Sequence, residues 1–162
     1  VRAAFLWFII LAAAAMPLCG CMGGRIYDAA APRAPASAIS ERHSWEISGN
    51  LSDPARAIDG YVETAAVAEN GGGAAQLTVD LGKPGLFNMV IVDHGGEEFG
   101  FPKRMALETS LDGQNFTPRY EVLGTRRVTL LVLPAPVLAR YVRLRASEPG
   151  SRPWAVAEIY LQ

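Results

Sequence analysis

Past residue 21 the sequence has no cysteine; Cys19 and Cys21 lie near its beginning. Whatever folds after them has no disulfide, no thiolate metal centre and no cysteine nucleophile. Histidine is nearly as scarce. His43 and His94 are far apart and form no His-Glu-x-x-His pair, so a catalytic zinc is not expected. An excess of one charge is also missing: 15 Lys and Arg face 16 Asp and Glu, for a formal net charge of −1. Without a basic surplus to neutralise phosphates, nucleic acid is not an expected partner. There is no Gly-x-Ser-x-Gly elbow, and Gly71-Gly72-Gly73 lacks the Gly-Lys-Ser/Thr of a phosphate loop. Asp93-His94 has no third member to complete a hydrolytic triad. Glu97-Glu98 are adjacent, which does not set two carboxylates across a cleft. No complete catalytic set can be assembled, so an enzyme is not expected.

What is present begins with an export signal. Arg2 precedes the apolar run Phe5–Ala15, which is shorter than the roughly 20 residues of a spanning helix. Leu18-Cys19-Gly20-Cys21 follows and resembles a bacterial lipobox, which implies a signal peptide over 1–20 and lipidation (palmitate and diacylglycerol) of Cys21. Two or three acyl chains hold a protein firmly where one does not. The plainer alternative is an ordinary cleaved signal with two incidental cysteines. If the envelope has two membranes, Met22 after the cysteine points to the outer one. Residues 21–42 read as a flexible Ala/Pro tether, since Ala29–Ala38 has no periodic apolar face. At about 3.1 Å per residue when extended, it would lift a domain several tens of ångströms from the bilayer.

From residue 43 the pattern is β, with no sustained helical period. Ala75, Leu77, Val79 and Leu81 alternate with Gln76, Thr78 and Asp80, so the first set should face a core. Phe87–Val92 is nearly continuous apolar, as in a strand covered on both faces. Arg126–Leu133 should end at Pro134. Tyr141–Arg145 alternates again, and 155–161 should put Ala155, Ala157, Ile159 and Leu161 on one face. Pro54 suits the first position of a short helical turn capped by Ser52 or Asp53. Asp112-Gly113 suits a tight hairpin, because Gly tolerates positive φ. Short strands with recurrent turns argue for a sandwich or jelly roll.

Five phrases stand in order: Ala57-Ile58-Asp59-Gly60 with Thr64, Leu77–Gly82, Ser110-Leu111-Asp112-Gly113 with Phe116, Ala139-Arg140-Tyr141-Val142-Arg143-Leu144, and Ala157–Leu161. Together they resemble the discoidin domain, also called the coagulation factor V/VIII C-type (F5/8 type C) domain, whose bacterial relatives include the family 32 carbohydrate-binding modules. The resemblance implies an all-β, antiparallel jelly-roll sandwich of about eight strands over 43–162, with Phe116 in its core. Two residues after Thr64 the family has Trp and this chain has Ala66. Trp45, Tyr61 or Trp154 could fill that volume. Arg140 and Arg143 are expected to pair with carboxylates and cover the sheet.

The resemblance also implies ligands. A structural Ca²⁺ would use Asp59, Thr64 and Glu158 with backbone carbonyls, which requires the two chain ends to meet. The alternative is that Asp59 only caps its turn. A sugar would rest among loops at one end of the sandwich, where His94, Glu97, Glu98, Phe99, Phe101 and Arg104 have suitable side chains. Phe99 or Phe101 could instead tuck inward or face a lipid surface. Two functions follow. One is a non-catalytic module on a membrane-anchored lipoprotein that recognises carbohydrate of the envelope or surroundings. The other is an assembly lipoprotein that docks an envelope protein and binds no sugar.

Overall fold

The computed structural model describes residues 38–69, 75–96 and 99–162. Cys21, the signal segment, most of the tether, Gly71–Gly73, Glu97 and Glu98 lie outside the described residues. Among the described residues, no helix is long and apolar enough to cross a membrane.

Among the described residues nine strands follow one another: β1 Glu46–Gly49, β2 Leu51–Ser52, β3 Ala66–Ala68, β4 Gln76–Asp93, β5 Arg104–Ser110, β6 Thr117–Leu123, β7 Val128–Glu148, β8 Ala155–Val156 and β9 Glu158–Leu161. The larger sheet runs β1-β4-β7-β5-β6, with β9 also paired to β4; the smaller runs β2-β3-β8. All strand pairs are antiparallel. This is the expected jelly-roll sandwich, and its core lies between the two sheets.

The pattern of alternation places that core. Ala75, Leu77, Val79 and Leu81 are all buried, as their spacing predicts. Leu77 and Val79 pair with Leu144 and Val142 of β7. Each of these four is fully enclosed, so their apolar area is removed from water on folding, at roughly 25 cal/mol per Å². Phe87, Val90 and Val92 continue the buried face, whereas Asn88 is exposed and Met89 and Ile91 are half-buried. The second half of β4 therefore alternates too, and is not covered on both faces. Trp45 and Trp154 are buried in the core and Tyr61 is 65 % exposed, so of the three candidates only the tryptophans add core aromatic volume.

β4 changes partner along its length. Before the register slip between Asp80 and Gly85 it pairs with β1; beyond a second slip between Phe87 and Met89 it pairs with β9. The second slip explains Pro134. β7 does not stop there, because Phe87 pairs with Val137 and Met89 with Val132, leaving Leu133–Pro136 without ladder partners on β4. A proline that lacks an N–H forfeits nothing in such a stretch.

Of four local expectations, those for Asp112 and Arg140 hold and those for Asp53 and Phe116 do not. Asp53 precedes the 3₁₀ turn Pro54–Ala57 without a side-chain cap bond and pairs instead with Arg56 at 3.1 Å. Asp112 does organise the β5–β6 hairpin: its carboxylate accepts the backbone N–H groups of Gln114 and Asn115, which hold its pKa well below the usual range. Phe116 is half-buried and not in the core; the Arg143 guanidinium lies 3.4 Å from its ring centroid. Arg140 meets Asp80 through two bonds of 2.8 Å, the bidentate form that fixes orientation as well as charge. Those bonds hold the Asp80 carboxyl below its ordinary value.

The domain also starts earlier than residue 43. Ile39 packs against the core, the Ser40 hydroxyl donates to the Leu81 carbonyl, and the Trp45 indole N–H donates to the Ser40 carbonyl at 3.1 Å. The last residues of the expected tether thus form a strap on the sandwich.

The alternation is testable with two leucines of β7. Leu144→Ala removes a fully enclosed side chain and should cost about 2–5 kcal/mol in urea unfolding. Leu130→Ala, at a position 52 % exposed, should cost under about 0.5 kcal/mol.

Candidate functional site

At one end of the sandwich three loops enclose a cleft of about 510 Å³. The 59–64 loop brings Val62 and Glu63; the end of β4 brings Asp93 and the segment after it Gly95, Gly96 and Phe99; the β6–β7 loop brings Arg126 and Arg127. This volume suits a small ligand, and the lining mixes apolar walls with a few charged groups.

His94 forms the floor. It is 1 % exposed. Its Nδ1 lies 2.8 Å from the Ala155 carbonyl and must donate to it, so Nε2 accepts from the Thr129 hydroxyl, also at 2.8 Å. Thr129 Oγ1 in turn accepts the Thr125 N–H, and the His94 backbone N–H donates to the Arg127 carbonyl. One neutral imidazole thereby ties β4, β7, β8 and the β6–β7 loop together. Both ring nitrogens are taken, so the expected hydroxyl contact from His94 gives way to a supporting role. Burial pushes its pKa down; the Ala155 carbonyl and Asp93 oppose this only in part.

Phe99 is placed by glycine. Gly95 has φ +81°, and a Cβ there would stand 2.8 Å from a Phe99 ring carbon. Absence of that atom lets the ring edge approach the backbone; Phe99 packs against the cluster of Ala65, Ala155 and Ala157 and also lines the cleft. Phe101 is half-buried and tilts toward the His94 ring, 6.1 Å between centroids. It lines a neighbouring cleft of about 480 Å³ with Lys103 and Arg152, which shares Phe99 and Arg126 with the first. Arg104 stands exposed at the start of β5, 3.5 Å from Glu148, and does not line the first cleft. Glu97 and Glu98 belong to the segment between Gly96 and Phe99 and lie outside the described residues.

Sequence reasoning missed Arg126, Arg127, Val62 and Glu63. The arginine pair reads as the start of a strand, yet β7 begins at Val128. Arg127 takes φ +72°, unusual for a non-glycine residue and invisible in its spacing. Gly124-Thr125 just before it was the available loop signal.

The three residues expected at a cation do converge on one loop. Asp59 accepts the Tyr61 N–H at 2.8 Å and the Thr64 hydroxyl at 2.7 Å. Glu158, fully buried at the head of β9, accepts the Gly60 N–H and pairs with the Arg42 guanidinium. Chain entry and exit are thus neighbours. Among the described residues, no three Asp, Glu, His or Cys side chains gather as a metal cluster.

With that geometry in place, the comparisons decide the family. The F5/8 type C domain model matches residues 35–159. The chain belongs to the F5/8 type C domain family. No protein of curated function matches it in sequence. Among solved structures, it resembles a Clostridium perfringens module, CpGH89CBM32-5, in complex with GalNAc-β-1,3-galactose: 19 % identity over 74 % of this chain and 96 % of that one, TM-score 0.68. It also resembles the family 32 module of C. perfringens NanJ in complex with galactose, with 19 % identity over 77 % and 97 %, TM-score 0.66. A third likeness is chitosan-binding module 1 from a chitosanase/glucanase of Paenibacillus sp. IK-5, with 18 % identity over 78 % and 96 %, TM-score 0.62. At these identities the likeness establishes a shared β-sandwich fold.

The buried imidazole sets a pH dependence. Its folded pKa lies below the ordinary 6.5, so below that pH the unfolded chain takes the proton first and stability falls until the folded pKa is passed. The urea midpoint should drop between about pH 7 and pH 5. In His94→Asn, which carries no titrating ring, the drop should be smaller, although the variant is less stable at neutral pH.

Proposed function

We propose that this domain is a non-catalytic carbohydrate-binding module whose ligand occupies the cleft of Phe99, Asp93, Glu63, Arg126 and Arg127. The observation that carries the reading is Phe99: its ring packs where Gly95 lacks a Cβ and it lines the cleft, together with carboxylates and guanidiniums that can bond hydroxyls. A sugar presents an apolar C–H face and a polar rim, which this mixture matches. The sugar complexes of two structural relatives support the same class of ligand. The Lys103–Arg152 cleft beyond the Phe99 edge leaves room for a second sugar unit.

The proposal extends to the cell. The lipobox-like Leu18–Cys21 supports export and lipid anchoring through Cys21, at the outer membrane where the envelope has two. The tether would then hold the module near its target. Individual sugar contacts are weak, so a high local concentration of modules supplies the retention.

One observation favours a second reading, docking of an envelope protein. On the outer face of the large sheet Tyr160, Ile91 and Leu130 stand side by side, next to Met89 and Val132. Leu130 and Val132 are 52 % and 51 % exposed. An apolar row of this kind is a common protein contact.

Calorimetric titration against galactose, N-acetylgalactosamine and chitosan oligomers separates the two. A saturable signal with at least one of them, weakened about tenfold or more in Phe99→Ala (~1.4 kcal/mol) and unchanged in Leu130→Ser, is the expected result. No signal with any glycan, together with partner capture lost in Leu130→Ser, would select protein docking.

A further inference from the structure

Glu158 sits at the head of β9 with no exposed surface, and a lone carboxylate in that place needs a counter-charge. The fold provides one. Arg42 opens the 3₁₀ turn Arg42–Ser44, immediately after the strap in which Ser40 bonds Leu81. From there its guanidinium reaches Glu158 Oε2, while Glu158 Oε1 accepts the Gly60 N–H. The Tyr160 ring covers it, 4.8 Å from guanidinium carbon to centroid, and the Arg42 side chain is 26 % exposed.

The side-chain oxygens expected at a cation are turned to protein donors. Both Asp59 oxygens are engaged, by the Tyr61 N–H and the Thr64 hydroxyl, and the Thr64 hydroxyl also lies 3.0 Å from the Tyr61 carbonyl. Calcium asks for six to eight oxygens converging on one point. Here the backbone group aimed at Glu158 is an N–H, and a fixed positive charge already abuts that carboxylate, so a divalent ion would be repelled from it. Arg42 Nη2 and Glu158 Oε2 make no hydrogen bond, so the pair is held by charge, and the residues present do not fit calcium.

We propose that the Arg42 guanidinium is the built-in structural cation of this domain. It neutralises Glu158 and fixes the 59–64 loop, without metal, through the carboxylate that also holds Gly60. Arg42 is then a positioning residue: the loop it fastens supplies Val62 and Glu63 to the cleft. The pairing also joins the end of the tether to the last strand, so the domain closes on itself where the chain enters. None of this depends on what the cleft binds.

The test is thermal unfolding of the full chain in EDTA and in millimolar calcium chloride, followed by a double-mutant cycle. The wild-type Tm should be the same in both buffers. Arg42→Met should lower Tm by more than about 5 °C, a large shift for a domain of this size. Glu158→Gln should lower it too, and the double variant should lose clearly less than the sum, because each substitution removes the partner the other needs. Arg42→Lys should keep more of the Tm than Arg42→Met. A wild-type Tm that falls in EDTA and returns with calcium would overturn the proposal, as would additive losses in the cycle. The buffer comparison uses wild-type protein alone and decides the matter even if Arg42→Met fails to fold.

Discussion

Pairing between β4 and β7 is the constraint on which the rest of the structure depends. These are the longest strands, and their ladder runs from Gln76–Arg145 to Asp93–Val128. β1 and β9 attach to β4, and β5 attaches to β7. The ladder contributes the enclosed residues Leu77, Val79, Val90, Val92, Leu131, Val142 and Leu144, so register and core are set together. A slip by one residue would turn that whole set outward. The slips that do occur fall where β4 changes from one edge partner to the other, and the prolines of β7 fall in the gap between paired segments.

The candidate site grows out of the ends of this ladder. Asp93 and His94 are where β4 runs out; Arg126 and Arg127 immediately precede β7. Because those strands are paired, their terminal loops are forced side by side. His94 then locks them, with Thr129 on one nitrogen and Ala155 on the other. Loops carry the variable contacts, and a buried polar network beneath them keeps those contacts in place. The same logic holds on the third wall, where Glu158 and Arg42 secure the turn that presents Val62 and Glu63.

Much of the fold was legible in the sequence because it rests on period two. Ala75, Leu77, Val79 and Leu81 announced both a strand and its buried face, and Asp112-Gly113 announced its hairpin. Pro134 misled because a proline marks a missing ladder bond, and a missing bond is as compatible with a bulge as with an end. Phe116 looked like core, and only the packed structure shows Arg143 above it. The site was legible in type and not in detail. The family resemblance and residue type pointed to the segment around His94 and Phe99, but they could not tell a floor from a wall. The backbone of Arg127 in the left-handed region, and the pairing of Arg42 with Glu158 from opposite ends of the chain, depend on tertiary closure that no local pattern encodes.

The most direct test of the central claim, that the paired strand ends build a sugar-binding cleft, is an amide NMR titration with galactose and GalNAc-β-1,3-galactose. The account predicts saturable shifts concentrated at Val62, Glu63, Gly95, Gly96, Phe99, Arg126 and Arg127, with the outer face of the large sheet unmoved. Shifts centred instead on Leu130, Val132 and Tyr160, or none with either sugar, would contradict it.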